Sequence, residues 1–274
     1  MASLCVLALC GSDGIAREAL AQPAAGVAAR ACAPWTVLGR GVSVRRCAGG
    51  AGRAAVLLAG WRITGASTRA WAEALDGARL GALGVSTVYA VEGPAQVDFR
   101  AKELAVDALL ADLEAGAGRL RRSALVVAHS SGAHVAATLF ARAFRGGRAS
   151  PLRGRLVYVD LDGDRGIAGD PERTLSRESV GGLRRALFVA VEDRGRGLRG
   201  FSQRAMVEGH LAFPRVSEHM VYDASGAGCA VESCAHLALI NARPAARGNA
   251  SYARFDRGPV NTAWLARVER WLAE

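Results

Sequence analysis

Ser130 stands in the segment Ala-His-Ser-Ser-Gly (128–132), between the apolar run Ala124 to Ala128 and a stretch of small residues with helical spacing. The pattern small-x-Ser-x-Gly is that of a strand-to-helix turn, which holds its central serine in a strained conformation with the hydroxyl exposed. Ala128 and Gly132 are small because strand and helix approach closely there. A serine hydroxyl is a weak nucleophile until a base takes its proton, and the base needs an acid to fix its tautomer. The chemistry implied is acyl transfer through an acyl-serine, with Ser130 attacking. The amide of Ser131, at the start of the helix, would face the developing oxyanion. A second donor is expected from the loop after the apolar run at 54–60, at the amide of Gly60 or Trp61. The Trp61 side chain reads equally well as a core aromatic.

A base must then be found among five histidines. His129 occupies the variable position of the turn, and His134 lies one turn into the following helix. His210 falls at an apparent helix end and His219 opens a strand. His236 lies in Ser-Cys-Ala-His-Leu, after the last strand candidate and before the final helix, where a loop can return to the serine. It is the preferred base, ahead of His210. The acid is less determined. One strand ends in Asp160, Asp162 and Asp164, and the next in Glu192 and Asp193. An acid two strands beyond the serine would be Asp193, and one immediately after it would come from the first cluster. The others are ordinary solvated or turn-capping carboxylates.

These residues need elements to position them. Short Val/Leu/Ile/Ala runs alternate with longer patterned stretches, the mark of an α/β fold with a mostly parallel central sheet and helices on both faces. Strands are expected at 54–60, 86–91, 124–128, 155–161, 186–192 and 219–224, preceded by a hairpin over 36–46. Most are apolar throughout, as in strands buried on both faces. Helices are expected over 67–80, 101–116, 131–147 and 261–274, the last with Asn261 or Thr262 as its N-cap. No internal repeat or linker divides the chain, so a single domain over 26–274 is expected.

With these motifs placed, the chain resembles the α/β-hydrolase superfamily over roughly residues 50 to 274. Ala-His-Ser-Ser-Gly-Ala-His is similar to the pancreatic-lipase type of nucleophile turn, with Ala128 and Ser131 where that family commonly has Gly and Leu. Leu-Asp-Gly-Asp (161–164) is similar to its Leu-Asp-Pro acid turn, and Cys-Ala-His-Leu (234–237) to its segment around the catalytic histidine. The resemblance implies a Ser130–His236–Asp162 triad and places Asp162 ahead of Asp160 and Asp193. The tail over 225–244 also resembles secreted hydrolase-fold proteins of fungi and bacteria. The activity implied is hydrolysis of a carboxylic ester, esterase- or lipase-like, on a small-molecule or lipid substrate, with no metal or organic cofactor. Amidase, peptidase or thioesterase chemistry on the same triad is the nearest alternative, and a hydrolase-fold protein that only binds is the next.

Composition narrows the field. The formal charge of +10 is carried almost wholly by arginine, Lys102 being the only lysine. The arginines are scattered, with no basic stripe or recognisable nucleic-acid fold, so nucleic-acid binding is not expected. No apolar run approaches the roughly 20 residues of a membrane span. Residues 1–25 hold an apolar run and small residues of the kind found in a processed signal, although the basic start is missing. A secreted or periplasmic location is therefore the expectation. Beyond that segment four cysteines remain, Cys32, Cys47, Cys229 and Cys234, which allow three connectivities. Pairing of near neighbours would clip the hairpin (Cys32–Cys47) and a short loop (Cys229–Cys234), as suits an oxidising compartment.

Overall fold

Apolar runs without alternation are stable as strands only when both faces of their sheet are covered. The chain meets this condition in a computed structural model that describes residues 30–49, 52–61, 63–75, 80–94, 100–117, 123–163, 175–193, 198–199, 216–224, 236–240, 242–244, 253–255 and 264–273. The strands are β1 (Thr36–Gly39), β2 (Val42–Arg46), β3 (Arg53–Leu58), β4 (Val85–Val91), β5 (Ala124–His129), β6 (Leu156–Leu161), β7 (Arg185–Asp193), β8 (Leu198–Arg199) and β9 (Ser217–Asp223). A separate antiparallel pair is formed by β10 (Ala242–Pro244) and β11 (Ala253–Phe255). The helices are α1 (Gly65–Leu75), α2 (Arg100–Gly116), α3 (Gly132–Phe144), α4 (Arg177–Gly181) and α5 (Leu265–Ala273).

The main sheet runs β1-β2-β4-β3-β5-β6-β7, with β9 parallel to β7 beyond it and β8 antiparallel to the end of β7. Along the path β4-β3-β5-β6-β7-β9 the neighbours are parallel, while β1 and β2 at one end, and β8 beside β7, join antiparallel. The chain crosses from β3 to β4 on one side and then returns to place β5 on the other. This reversal opens a crevice at the carboxyl ends of β3 and β5, where open α/β sheets take their ligands. The residues that follow these two strands include Gly60 and Ser130.

Alternate residues of each central strand feed two cores. Leu57, Leu125, Val127, Val159, Leu187 and Val189 pack with Trp71 and Leu75 of α1 and with Leu265, Val268 and Trp271 of α5. Their neighbours Val56, Leu58, Val126, Tyr158 and Phe188 pack with Leu109 of α2, Leu139 and Phe140 of α3 and Val180 of α4. Helix α3 is buried at all but one of its residues, Arg142, because it lies inside the layer rather than on its surface. Its small residues permit that close seat. The hairpin β1–β2 is closed by a disulfide between Cys32 and Cys47, which also pair across an antiparallel bridge. Cys229 and Cys234, Asn261 and Thr262, and residues 1–25 lie outside the described residues. No described helix is long and apolar enough to cross a membrane.

Candidate active site

Among the described residues two non-glycines adopt left-handed backbone, Ser130 at φ 56° and Asp162 at φ 49°. A Cβ in that region costs about 1–3 kcal/mol, so each turn must be held by its surroundings. Ser130 is held on both sides. Its N–H donates to the Leu161 carbonyl at 3.1 Å, and its own carbonyl accepts from the Ala133 N–H at 3.0 Å as α3 begins. Gly132 is required by the approach of α3 to β3, since a Cβ there would lie 2.3 Å from the Leu58 carbonyl oxygen. Gly60 is pressed against the same turn: a Cβ there would lie 2.8 Å from the Ser130 Cβ and 3.2 Å from His129 Nδ1. The Trp61 side chain, 39% exposed, is not a core aromatic.

The register of β5 on β6 pairs Ala128 with Asp160 and His129 with Leu161, so the two strained turns emerge side by side. The Leu161 carbonyl that anchors Ser130 belongs to the residue before Asp162. The Asp162 amide in turn donates to the Val189 carbonyl of β7 at 2.7 Å, which holds the Asp162 turn from the other flank. Asp162 is completely buried and His236 nearly so. His236 Nδ1 donates to Asp162 Oδ2 at 2.5 Å. That bond leaves Nε2 as the nitrogen of the neutral imidazole able to accept a proton.

His236 lies in a helical segment described at 236–238, and His129 contacts it. The His129 Nε2–H donates to the His236 carbonyl at 3.1 Å, and the two rings lie 4.3 Å apart between centroids. Burial, reinforced by the neighbouring His236 ring, lowers the His129 pKa well below 6.5, so the ring is a neutral donor. With Nε2 committed to a carbonyl, His129 braces the histidine loop. This role has no sequence signature, because the partner is a backbone atom 107 residues further on.

Asp160, one strand position short of the turn, accepts from the Tyr158 hydroxyl at 2.9 Å and from the Gly163 amide at 2.6 Å. Burial raises its pKa from 3.8 to about 7, and the nearby Asp162 adds to the rise. Asp193 ends β7 opposite Leu198 of β8. Asp164 and His210 lie outside the described residues. His219, on β9, stacks its ring on Phe188 at 5.5 Å between centroids, and His134 is buried in the first turns of α3. The arrangement thus joins a strained serine turn, a buried Asp–His pair and a glycine-lined loop at one edge of the sheet.

The sequence matches no protein-family model and no curated protein. Solved structures similar to the chain include an esterase of Pyrobaculum calidifontis, at 14% identity and TM-score 0.48 over 66% of this chain and 71% of that one. The esterase LipW of Mycobacterium marinum is similar at 21% identity and TM-score 0.46, over 71% and 72% of the two chains. An alpha-beta serine hydrolase homologue from Coxiella burnetii is similar at 12% identity and TM-score 0.41, over 66% and 81%. The chain's own strand order, its helices on both faces of the sheet and its strained serine turn between β5 and α3 are those of the α/β-hydrolase fold.

Proposed function

We propose that this protein is a serine hydrolase acting on carboxylic esters, with Ser130 as nucleophile, His236 as general base and acid, and Asp162 as the residue that orients the imidazole. The observation that carries the reading is the buried 2.5 Å bond between Asp162 and His236, on a histidine whose own carbonyl is tied to the residue before Ser130. In this mechanism His236 Nε2 takes the Ser130 proton as Oγ attacks the ester carbonyl. The Asp162 carboxylate stabilises the imidazolium without taking its proton. The tetrahedral oxyanion is received by the Ser131 amide and by an amide of the 60–61 loop, each such donor being worth about 10²–10³ in turnover. His236 returns the proton to the departing alcohol, and water then releases the acyl group by the same steps in reverse order.

The test is a panel of p-nitrophenyl esters of graded chain length, with fluorophosphonate labelling, on the wild type and on Ser130→Ala. Ester turnover and labelling that both vanish in the variant are the expected result. Turnover of amides or thioesters in preference to esters would move the substrate class and keep the triad. A folded wild type that neither labels nor hydrolyses would refute the catalytic reading.

A further inference from the structure

We infer that Asp160 is a positioning residue for the Asp162–His236 pair, its carboxyl clamping the strained turn from beneath. This rests on the triad proposed above and assigns the machinery that holds its acid in place. The Gly163 amide, the first beyond Asp162, donates to Asp160 Oδ1 at 2.6 Å, and the Tyr158 hydroxyl donates to Oδ2 at 2.9 Å. Asp162 is therefore pinned on both sides, by the Val189 carbonyl at its own amide and by Asp160 at the next. Gly163 is demanded by the clamp, since a Cβ there would fall 2.0 Å from Asp160 Oδ1 and 2.7 Å from the Ala133 Cβ. The other jaw is rigid. Tyr158 is fully buried, with its ring edge-on to Phe140 at 5.0 Å and to Phe188 at 6.0 Å.

A carboxyl is an expensive choice for this position, because burial disfavours its charged form. The groups that bear on it are the Tyr158 hydroxyl from its own strand, His134 from α3, the Gly163 amide and the Asp162 carboxylate from the turn. A carboxyl with two donors, beside a second carboxylate, is suited to holding a left-handed turn from the side opposite the Val189 carbonyl.

The experiment compares Asp160→Ala, Asp160→Asn and Tyr158→Phe with the wild type. It measures kcat and KM on p-nitrophenyl butyrate, thermal stability, and the far-downfield NMR signal of the His236 Nδ1 proton. Asp160→Ala should lower kcat by about tenfold to a hundredfold, as sub-ångström to ångström misplacement does, with KM unchanged and the Nδ1 proton shifted or broadened. Asp160→Asn keeps an oxygen for the Gly163 amide and should recover most of kcat and the signal. Tyr158→Phe should shift the proton in the same direction to a smaller extent, and it supplies the comparison if the alanine variant does not fold. Wild-type kcat and an unmoved proton in folded Asp160→Ala or Tyr158→Phe would overturn the inference. So would losses that simply follow the unfolded fraction and are not relieved by asparagine. If the wild type hydrolyses no ester, the functional reading fails, while the proton signal still decides whether Asp160 positions the pair.

Discussion

Replacing Gly60 with alanine should cut turnover sharply while leaving the protein folded. The new Cβ would lie 2.8 Å from the Ser130 Cβ and 3.2 Å from both Nδ1 and the carbonyl oxygen of His129. Carbon atoms rest at about 3.5–4.0 Å, so roughly 1 Å must be found. The 60 loop cannot supply it by retreating. Gly93 packs behind it so closely that a Cβ there would fall 1.6 Å from the Gly60 oxygen. The Ala59 amide is also bonded to the Val91 carbonyl at 3.1 Å, and the Ile63 amide to the Gly60 carbonyl at 3.1 Å. His129 is tied to the His236 carbonyl. The displacement falls on Ser130, and about 1 Å at a reacting atom costs about 10² in rate. Overpacking of this kind lowers stability by about 1–3 kcal/mol, which a domain of ordinary stability survives. Steady-state kinetics on p-nitrophenyl butyrate beside a urea melt separates the two effects. A folded Gly60→Ala protein with kcat within threefold of wild type would refute the reasoning, because Ser130 would then be free to move without consequence or would not be the nucleophile.

Asp162→Asn should preserve the fold and lower kcat by about 10⁴, because the amide favours the wrong imidazole tautomer; a loss below tenfold would argue for another acid. The Asp160 carboxyl rises from 3.8 to about 7 on burial, so the folded protein keeps a proton that the unfolded chain releases between those pH values. Its contribution to stability is present below pH 3.8 and is lost as pH climbs through about 7. The loss is about 4 kcal/mol across the window, and a chemical-denaturation series should show it in the wild type relative to Asp160→Asn. Replacing Cys47 by serine opens a loop with a sequence separation of 15, which should lower stability by about 3 kcal/mol. Urea melts of the oxidised wild type and the variant check this figure.

A feature of the site is legible in the sequence when its cause is local. The serine turn has a local signature: a buried strand, small residues at Ala128 and Gly132 and a following helix mark the turn at Ser130, whose φ of 56° the Leu161 carbonyl then holds. The apolar runs likewise announce doubly covered strands, and β3 to β7 fall where the runs lie. Elements with little sequence behind them were not legible. The two-residue β8, the three-residue β10 and β11, and the five-residue α4, capped by the Ser176 side chain, are stabilised by neighbours rather than by pattern.

Five strand-end carboxylates are equivalent to any local rule, because each follows an apolar run by one or a few residues. Which of them faces His236 Nδ1 is set by the register of β6 between β5 and β7, through bonds at Ser130 and Asp162 to carbonyls on adjacent strands. Tertiary structure also decided that His129, adjacent to the serine, is a buried neutral brace, and that Asp160 turns inward to Tyr158 and Gly163. The amino-acid sequence determined by itself that a strained serine would stand at the edge of a parallel sheet, because sterics and hydrophobic burial act over a few residues. Only the folded sheet decided which distant side chains meet it, because hydrogen bonds between residues 74 or 107 apart exist only once the strands are in register.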